Sequence, residues 1–558
     1  MKNWRINIIF LCILLFGAAI IGRLFYLQVI KYDYYKALAY GQQKDFKFLK
    51  GERGQIFFKS GQTLATNIKG RYVFASPVKI KNKEETAKNL SEILNIDENQ
   101  ILESLNKESS FEIIKNNLTS EEETKIKNKN LEGVYLDNNI LRKYPQKEIA
   151  SRTIGFLGAN GKGQYGVEGY YDEILRGKDF FPKKERYGIS IYDDELKNLK
   201  GADIYLTLDY NIQVIAEKLL EKAKEDIDIE GGLIIVMEPS TGKILALANF
   251  PNFDPNNYSK VKDFEIFQND AVQKLFEPGS LFKVITMAAA LNEGKITPQT
   301  KYIDNGYVKI GKYTIYNYNQ KVWGEKTMTE VLQNSINTGA IFAERKLGHE
   351  NFLKYVEKFG FFKPTGIDIF GEIYSENKEF KKGYEVNFAT ASFGQGIEIT
   401  PIQLVKAFSA IANNGKMVKP HIAEKIYKNG KTEEVLNKVD DNEIISLDTV
   451  SQITTMMVNV VENSYSGHAK IPGYYIAGKT GTAQIPYSSL GINMRGYSEK
   501  TWQSFIGFAP AFNPKFLVLV KLDNPKTKDA SQSAVPIFRD LAKYIIDYFE
   551  IPPDYEVE

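Results

Sequence analysis

The apolar positions of this chain begin as one unbroken block. Ile6 to Gly22 is apolar apart from Asn7, with Lys2 and Arg5 before it and Arg23 after it. At 1.5 Å per residue the run reaches about 25 Å, and long flanking side chains cover the shortfall to a bilayer core of about 30 Å. The small residues Gly17-Ala18-Ala19 lie inside the run and not after it, so the spacing favours an uncleaved anchor over a signal peptide. We place the anchor at 6–29, behind a short basic tail, 1–5, on the cytoplasmic side.

Beyond the anchor the pattern becomes periodic. Ala87, Leu90, Ile93 and Leu94 recur at helical spacing within a lysine-rich stretch of both signs, which predicts a small helical head at about 80–135. Ile212, Ile215, Ala216, Leu219, Leu220 and Ala223 lie on one face of a helix introduced by Asp209. Leu233 to Met237 and Ile244 to Ala248 flank the turn Pro239-Ser240-Thr241-Gly242 and read as a hairpin. Two later strands, Ser504 to Phe508 and Phe516 to Leu522, precede a last helix with Phe538, Leu541, Ala542, Ile545 and Phe549 on one face.

A length of 558 residues exceeds one ordinary core and implies two or more domains. The formal charge of +3 is close to balance and points to no nucleic-acid partner. The one cysteine, Cys12, falls in the apolar run, so no internal disulfide can form. The three histidines, His349, His421 and His468, are scattered and read as surface or loop residues. With no H-E-x-x-H string or cysteine cluster, no metal and no cofactor is implied.

Three short strings carry candidate chemistry. Ser280-Leu281-Phe282-Lys283 follows Glu277-Pro278-Gly279 and opens an apolar, alanine-rich run, so a turn feeds a helix whose first turn carries the serine and, one turn on, the lysine. A serine hydroxyl needs a base to take its proton, and lysine is that base only when uncharged. Burial and a second cation can depress its pKa by the several units required. Alone, an S-x-x-K string is weak evidence: Ser259 with Lys262 and Ser375 with Lys378 also match, although neither opens an apolar helix. Ser335-Ile336-Asn337 lies in a polar turn, where a hydroxyl can both donate and accept a proton. Lys479-Thr480-Gly481-Thr482 ends an apolar strand that loses side chains at Gly478 and Gly481, a sign of close approach by another backbone or a ligand.

In this order and context the three strings resemble those of the class B penicillin-binding proteins, the membrane-anchored D,D-transpeptidases that cross-link peptidoglycan. Arg53-Gly54-Gln55-Ile56, Arg142-Lys143-Tyr144-Pro145 and Gly163 to Gly169 look like that family's pedestal motifs, with Phe58 where the family usually has aspartate. The resemblance implies a multidomain α+β chain: a pedestal at 30–205, a transpeptidase domain at 206–552 built on an antiparallel sheet flanked by helices, and a tail at 553–558. It implies Ser280 as nucleophile, Lys283 as base, Ser335 as proton shuttle and Asn337 as the amide that holds Lys283 and the substrate carbonyl. Lys479, Thr480 and Thr482 would attract the substrate's terminal carboxylate, with Gly481 giving the strand its closeness. The backbone N–H groups of Ser280 and Thr482 would form an oxyanion hole.

The implied substrate is a D-Ala-D-Ala stem peptide, and β-lactams should acylate the same serine. The implied partners are a SEDS-family glycosyltransferase and other division proteins of the cell membrane, with the catalytic domain on the outer, periplasmic side. Ala477 to Gln484 and Ser504 to Pro510 look more like the division (FtsI-like) type than the elongation type. A D,D-carboxypeptidase or β-lactamase shares the motifs, because water can replace the acceptor amine. A non-catalytic division scaffold would be expected to have lost one of the groups that are all present here.

Overall fold

The apolar block forms a helix, Trp4–Phe25, that continues to Ile30. In the computed structural model, residues 4–32, 35, 52–177, 200–435 and 443–557 are described. Among them, Ile8–Ile30 is the one helix long and apolar enough to cross a membrane. Contacts divide the chain into two units. The first comprises Met1–Arg53, Thr66–Lys143 and Gly177–Lys200, and the second Gly54–Ala65, Tyr144–Arg176 and Gly201–Glu558.

In the first unit, the strand Thr63–Ala75 runs from Thr66 onward antiparallel to Val134–Lys143 and pairs near its end with Glu112–Lys115. Three helices, Lys83–Leu94, Glu98–Asn106 and Ser120–Lys129, form the helical head. Their apolar stripe of Ala87, Leu90, Leu94, Ile101, Leu105 and Ile126 packs with Val73, Ala75 and Ile80. Asn82, Asp97 and Thr119 each accept a first-turn backbone N–H, which gives these short helices defined starts.

The second unit is organised by a five-stranded antiparallel sheet in the order Ala477–Pro486, Tyr497–Ala509, Phe516–Asp523, Gly231–Met237, Ile244–Phe250. Its central strands are apolar at nearly every position because both faces are covered. Ile234, Val236, Ala246, Val518 and Val520 pack on the helices Tyr210–Ile227 and Ala534–Tyr548. Leu233, Ile235, Met237, Leu247, Leu517 and Leu519 share the larger core that holds the helices Phe282–Asn292, Pro401–Ala412 and Leu447–Asn463. Asp209 caps the helix Tyr210–Ile227, accepting from the N–H groups of Asn211 and Ile212.

Segments early in the chain belong to this second unit. Ile56–Phe57 pairs in parallel with Asp203–Leu206, which is antiparallel to Ala423–Lys428. Phe58 is fully buried and meets Tyr210 edge-on at 5.3 Å. A carboxylate at this position would be desolvated, whereas a buried phenylalanine contributes about 1.5–3 kcal/mol. The departure from the family's aspartate is therefore a core substitution. His421, expected from the sequence to be a surface or loop residue, lies between the named elements but is buried, so the surface alternative does not hold: its carbonyl accepts from Ile244 N–H while its N–H donates to the Gly242 carbonyl.

Arg152 and Asp270 form a buried ion pair of 2.8 Å inside this unit, with Arg152 also donating to the Gln268 carbonyl. Removing one member strands the other's charge. Asp270→Ala is expected to destabilise the second unit by about 3–5 kcal/mol, read as a lower urea midpoint for its unfolding transition.

Candidate active site

The serine string adopts a tighter turn than its spacing predicts. Gly279–Leu281 is a 3-10 turn, and the α-helix proper starts at Phe282. Gly279 has φ +55, in the left-handed region that glycine adopts without strain. Ser280 is half-buried in the middle of this turn. One turn on, Lys283 is fully buried, and its Nζ lies 2.5 Å from the Ser335 carbonyl, 2.8 Å from Asn337 Oδ1 and 3.1 Å from Ser335 Oγ.

Ser335 reaches this amine because the chain reverses there. The helix Met328–Gln333, started by a Thr327/Glu330 capping box, ends at Asn334. Ser335 then takes φ +54, uncommon for a residue with a side chain, before the helix Asn337–Leu347 begins. This bend turns both the carbonyl and the hydroxyl of Ser335 toward Lys283. The new helix is fixed from below by Asp304, which is 1% exposed. Its carboxylate accepts from Thr338 Oγ1 at 2.7 Å, from Asn317 Nδ2 and from the N–H groups of Gly306 and Trp323. Asn317 Oδ1 takes the Thr338 N–H, one of the donors a helix start leaves unpaired, and Asn337 Nδ2 donates to the Tyr316 carbonyl. Sequence reasoning missed Asp304 and Asn317; the turn-forming Asp304-Asn305-Gly306 was the available signal.

Lys479 arrives from the edge strand Ala477–Pro486. It is 1% exposed, with Nζ 3.2 Å from Ser335 Oγ, 3.1 Å from the Thr480 carbonyl and 3.5 Å from Thr480 Oγ1. Gly481 lets this strand close on the serine turn: a Cβ there would stand 2.8 Å from Leu281 Cγ and 3.1 Å from the Pro278 carbonyl. A Cβ on Gly279 would stand 3.1 Å from that of Ala483. Thr482 Oγ1 accepts the Ala530 N–H at 3.3 Å, which ties the strand to the segment that follows the sheet.

The sequence-predicted residues therefore gather. Lys283, Ser335, Asn337 and Lys479 are joined by direct hydrogen bonds, Thr480 by its carbonyl to Lys479, and Gly481 by contact with the turn. The Ser280 hydroxyl makes no hydrogen bond among the described residues, so the direct contact with Lys283 that the spacing invites is not made in this state. Catalytic hydrogen bonds often tighten only when substrate is bound.

The electrostatics follow from burial. Neither lysine has a carboxylate within ion-pair distance among the described residues. Burial, and then the charge of Lys479, hold the Lys283 amine well below the ordinary lysine value, and burial pushes Lys479 down to about 7. Both amines meet the same Ser335 hydroxyl, and two unit charges about 6 Å apart repel by roughly 3 kcal/mol at an effective dielectric of 20. The pair so favours one positive charge over two. An uncharged Lys283 has two N–H donors, which the Ser335 carbonyl and Asn337 Oδ1 accept, and a lone pair left for a hydroxyl proton. Behind the serine turn, the Glu277 carboxyl accepts from Gly396 N–H at 3.1 Å and Tyr497 OH at 3.0 Å; burial, against these bonds, pushes it up to about 7.

Comparison with known proteins finds the same domains elsewhere. Residues 232–543 match the model of the penicillin binding protein transpeptidase domain, and residues 48–206 that of the penicillin-binding protein dimerisation domain. The chain is 34% identical to Stage V sporulation protein D of Bacillus subtilis, covering 92% of this chain and 81% of that protein. It is 30% identical to the peptidoglycan D,D-transpeptidase FtsI of Buchnera aphidicola, covering 99% and 96%. Penicillin binding protein 3 of Mycobacterium tuberculosis, solved in complex with aztreonam, shares the fold with a TM-score of 0.70 at 24% identity, covering 91% of this chain and 98% of that one.

Buried lysines of this kind oppose folding. In the unfolded chain each holds its proton up to about pH 10.4, whereas the folded site releases it earlier, so from neutral pH upward the unfolded state binds more protons and stability rises with pH. The thermal midpoint is expected to rise between pH 7 and 9. Lys283→Met should melt higher than the wild type at pH 7 and show a smaller rise.

Proposed function

The chain belongs to the penicillin-binding protein transpeptidase family, and on that premise we propose that it is a serine-type peptidoglycan D,D-transpeptidase with its reaction centred on Ser280. The observation that carries this reading is the meeting of Lys283 and Lys479, from separate strings, on the one hydroxyl of Ser335.

The steps follow from the groups present. Lys283, uncharged, takes the Ser280 proton as Oγ attacks the penultimate D-alanine carbonyl of a stem peptide. The carbonyl oxygen gathers charge against the N–H groups of Ser280 and Thr482, each worth about 3 kcal/mol in such a hole. Ser335 passes its hydroxyl proton to the departing nitrogen as it takes one from Lys283, which returns that amine to its neutral form, and D-alanine leaves with the electron pair of the broken C–N bond and that proton. The acyl-enzyme is then resolved when an amine of a neighbouring stem attacks the ester carbonyl and the proton returns to Ser280. Lys479, the remaining cation, and Thr480 Oγ1 attract the terminal carboxylate. The Thr482 hydroxyl must turn from the Ala530 N–H to join them. Asn337 holds Lys283 and the substrate carbonyl. A β-lactam enters the same path, but its opened amide stays tethered, so the acyl-enzyme persists.

The domain organisation proposed is a tail at 1–5, an anchor at 6–29, a pedestal at 30–205 and a transpeptidase domain at 206–552, with 553–558 trailing. The helix Ile8–Ile30 supports a single-pass anchor in the cell membrane, and Lys2 and Arg5 before it support the transpeptidase lying on the outer side. A SEDS-family glycosyltransferase would supply the glycan to be cross-linked. The relatives named FtsI favour septal synthesis. A second reading, a role in sporulation, is favoured by the 34% identity to Stage V sporulation protein D. Depletion separates them: filamentation with intact sporulation supports the first, normal division with failed sporulation the second.

Intact mass spectrometry after incubation with benzylpenicillin is expected to show the wild-type chain heavier by one penicillin and Ser280→Ala unmodified. An adduct that persists in Ser280→Ala would falsify Ser280 as the nucleophile. Fast turnover of penicillin without a lasting adduct would identify a hydrolase instead.

A further inference from the structure

Besides the strand Ala477–Pro486, a loop at 392–399 holds the serine turn. Phe276 and Ile399 exchange both backbone hydrogen bonds, at 2.9 and 3.0 Å, and Gly279 N–H donates to the Gly394 carbonyl at 3.0 Å. Thr286 Oγ1, in the helix that follows, donates to the Ser392 carbonyl at 2.8 Å. Gly394 has φ +81, and a Cβ there would stand 2.1 Å from the Gly279 carbonyl, so the backbone of this loop lies directly against the turn. One side chain extends the contact further. Glu277, three residues before Ser280 and 5% exposed, accepts the Gly396 N–H and the Tyr497 hydroxyl. Tyr497 opens the strand Tyr497–Ala509, opposite Pro486, at the end of the hairpin whose other strand carries Lys479 to Thr482.

We propose that Glu277 is a positioning residue for acylation: its carboxylate ties the Ser280 turn both to the loop at 392–399 and to the end of the 477–509 hairpin, and so fixes the gap in which the scissile carbonyl is held. The proposal rests on the acyl-transfer reading above.

The need for such a tie is geometric. Two backbone donors, one on the turn and one on the strand, must meet a single oxygen at about 3 Å, and a misplacement of about 1 Å can cost 10²-fold in rate. The strand side of this gap is set by the sheet register with Tyr497–Ala509. The turn is a short 3-10 element preceded by proline and opened by glycine, and it has no sheet of its own. Above neutral pH, where Glu277 is ionised, a carboxylate with two donors in a nearly dry site makes charge-assisted bonds, roughly twice as strong as neutral ones, and it reaches both neighbouring elements from one residue. An ordinary core residue at 277 would fill space without joining the hairpin.

The test separates binding from acylation. Rapid-mixing kinetics with a fluorescent penicillin give the pre-covalent dissociation constant and the acylation rate constant for wild type, Glu277→Gln, Tyr497→Phe and the double variant. Glu277→Gln keeps the side-chain size and serves if Tyr497→Phe folds poorly; the thermal midpoint and the fraction of molecules that form adduct report folding. Each single variant is expected to acylate about tenfold more slowly with the dissociation constant changed less than twofold, and the double variant no more slowly than the slower single. A wild-type acylation rate in the singles overturns the proposal. So do effects that multiply in the double variant, or a loss confined to the adduct-forming fraction. A wild-type chain that forms no adduct at Ser280 would remove the acyl-transfer reading itself, and the proposal with it.

Discussion

The second unit is arranged around two lysine amines that share one hydroxyl in a site nearly closed to water. Charged amines resist such burial, and a carboxylate partner would relieve it by keeping both protonated. No carboxylate is supplied among the described residues. Lys283 instead meets a carbonyl, an amide oxygen and a hydroxyl, groups that tolerate a neutral amine. Lys479 sits against the same hydroxyl and adds the repulsion that holds the proton off its neighbour. The destabilisation stored here is acceptable because the sheet around it is apolar on both faces and fully covered.

Closeness is obtained by removing side chains at chosen points. Gly481 lets the edge strand approach the serine turn, Gly279 gives the turn its left-handed bend, and Gly394 lets a loop support the turn from behind. Ser335 takes a left-handed backbone although it carries a side chain, and its strain coincides with the point where both lysines converge. Asp304 and Asn317 hold that point still by satisfying the start of the next helix.

Much of this was legible in the sequence because it depends on residue type at fixed spacing. The three strings could be read as chemistry, the hairpin of Leu233 to Met237 and Ile244 to Ala248 from two apolar runs around a turn, and the last helix from periodicity. What escaped depends on contacts between distant segments. The sheet partner of Ile56 is Ile204, and no local pattern announces a parallel pairing across such a separation, so the membership of residues 54–65 and 144–176 in the second unit was not visible. Glu277 looked like part of a turn, since Gly396 and Tyr497, which give it a role, lie far along the chain. His421 looked like a loop residue, and it is one, but the loop is covered by the second unit's core. The 3-10 geometry at Ser280 was hidden because helix periodicity does not distinguish the first turn's tightness.

The single cysteine, Cys12, lies in the N-terminal apolar helix, and residues 13–558 contain no other. Everything beyond that helix keeps the same covalent structure whether its surroundings oxidise or reduce thiols. Its folding draws on no disulfide-forming catalyst, and oxidants or soft electrophiles that would disable a thiol enzyme meet hydroxyls and sequestered amines at the candidate site.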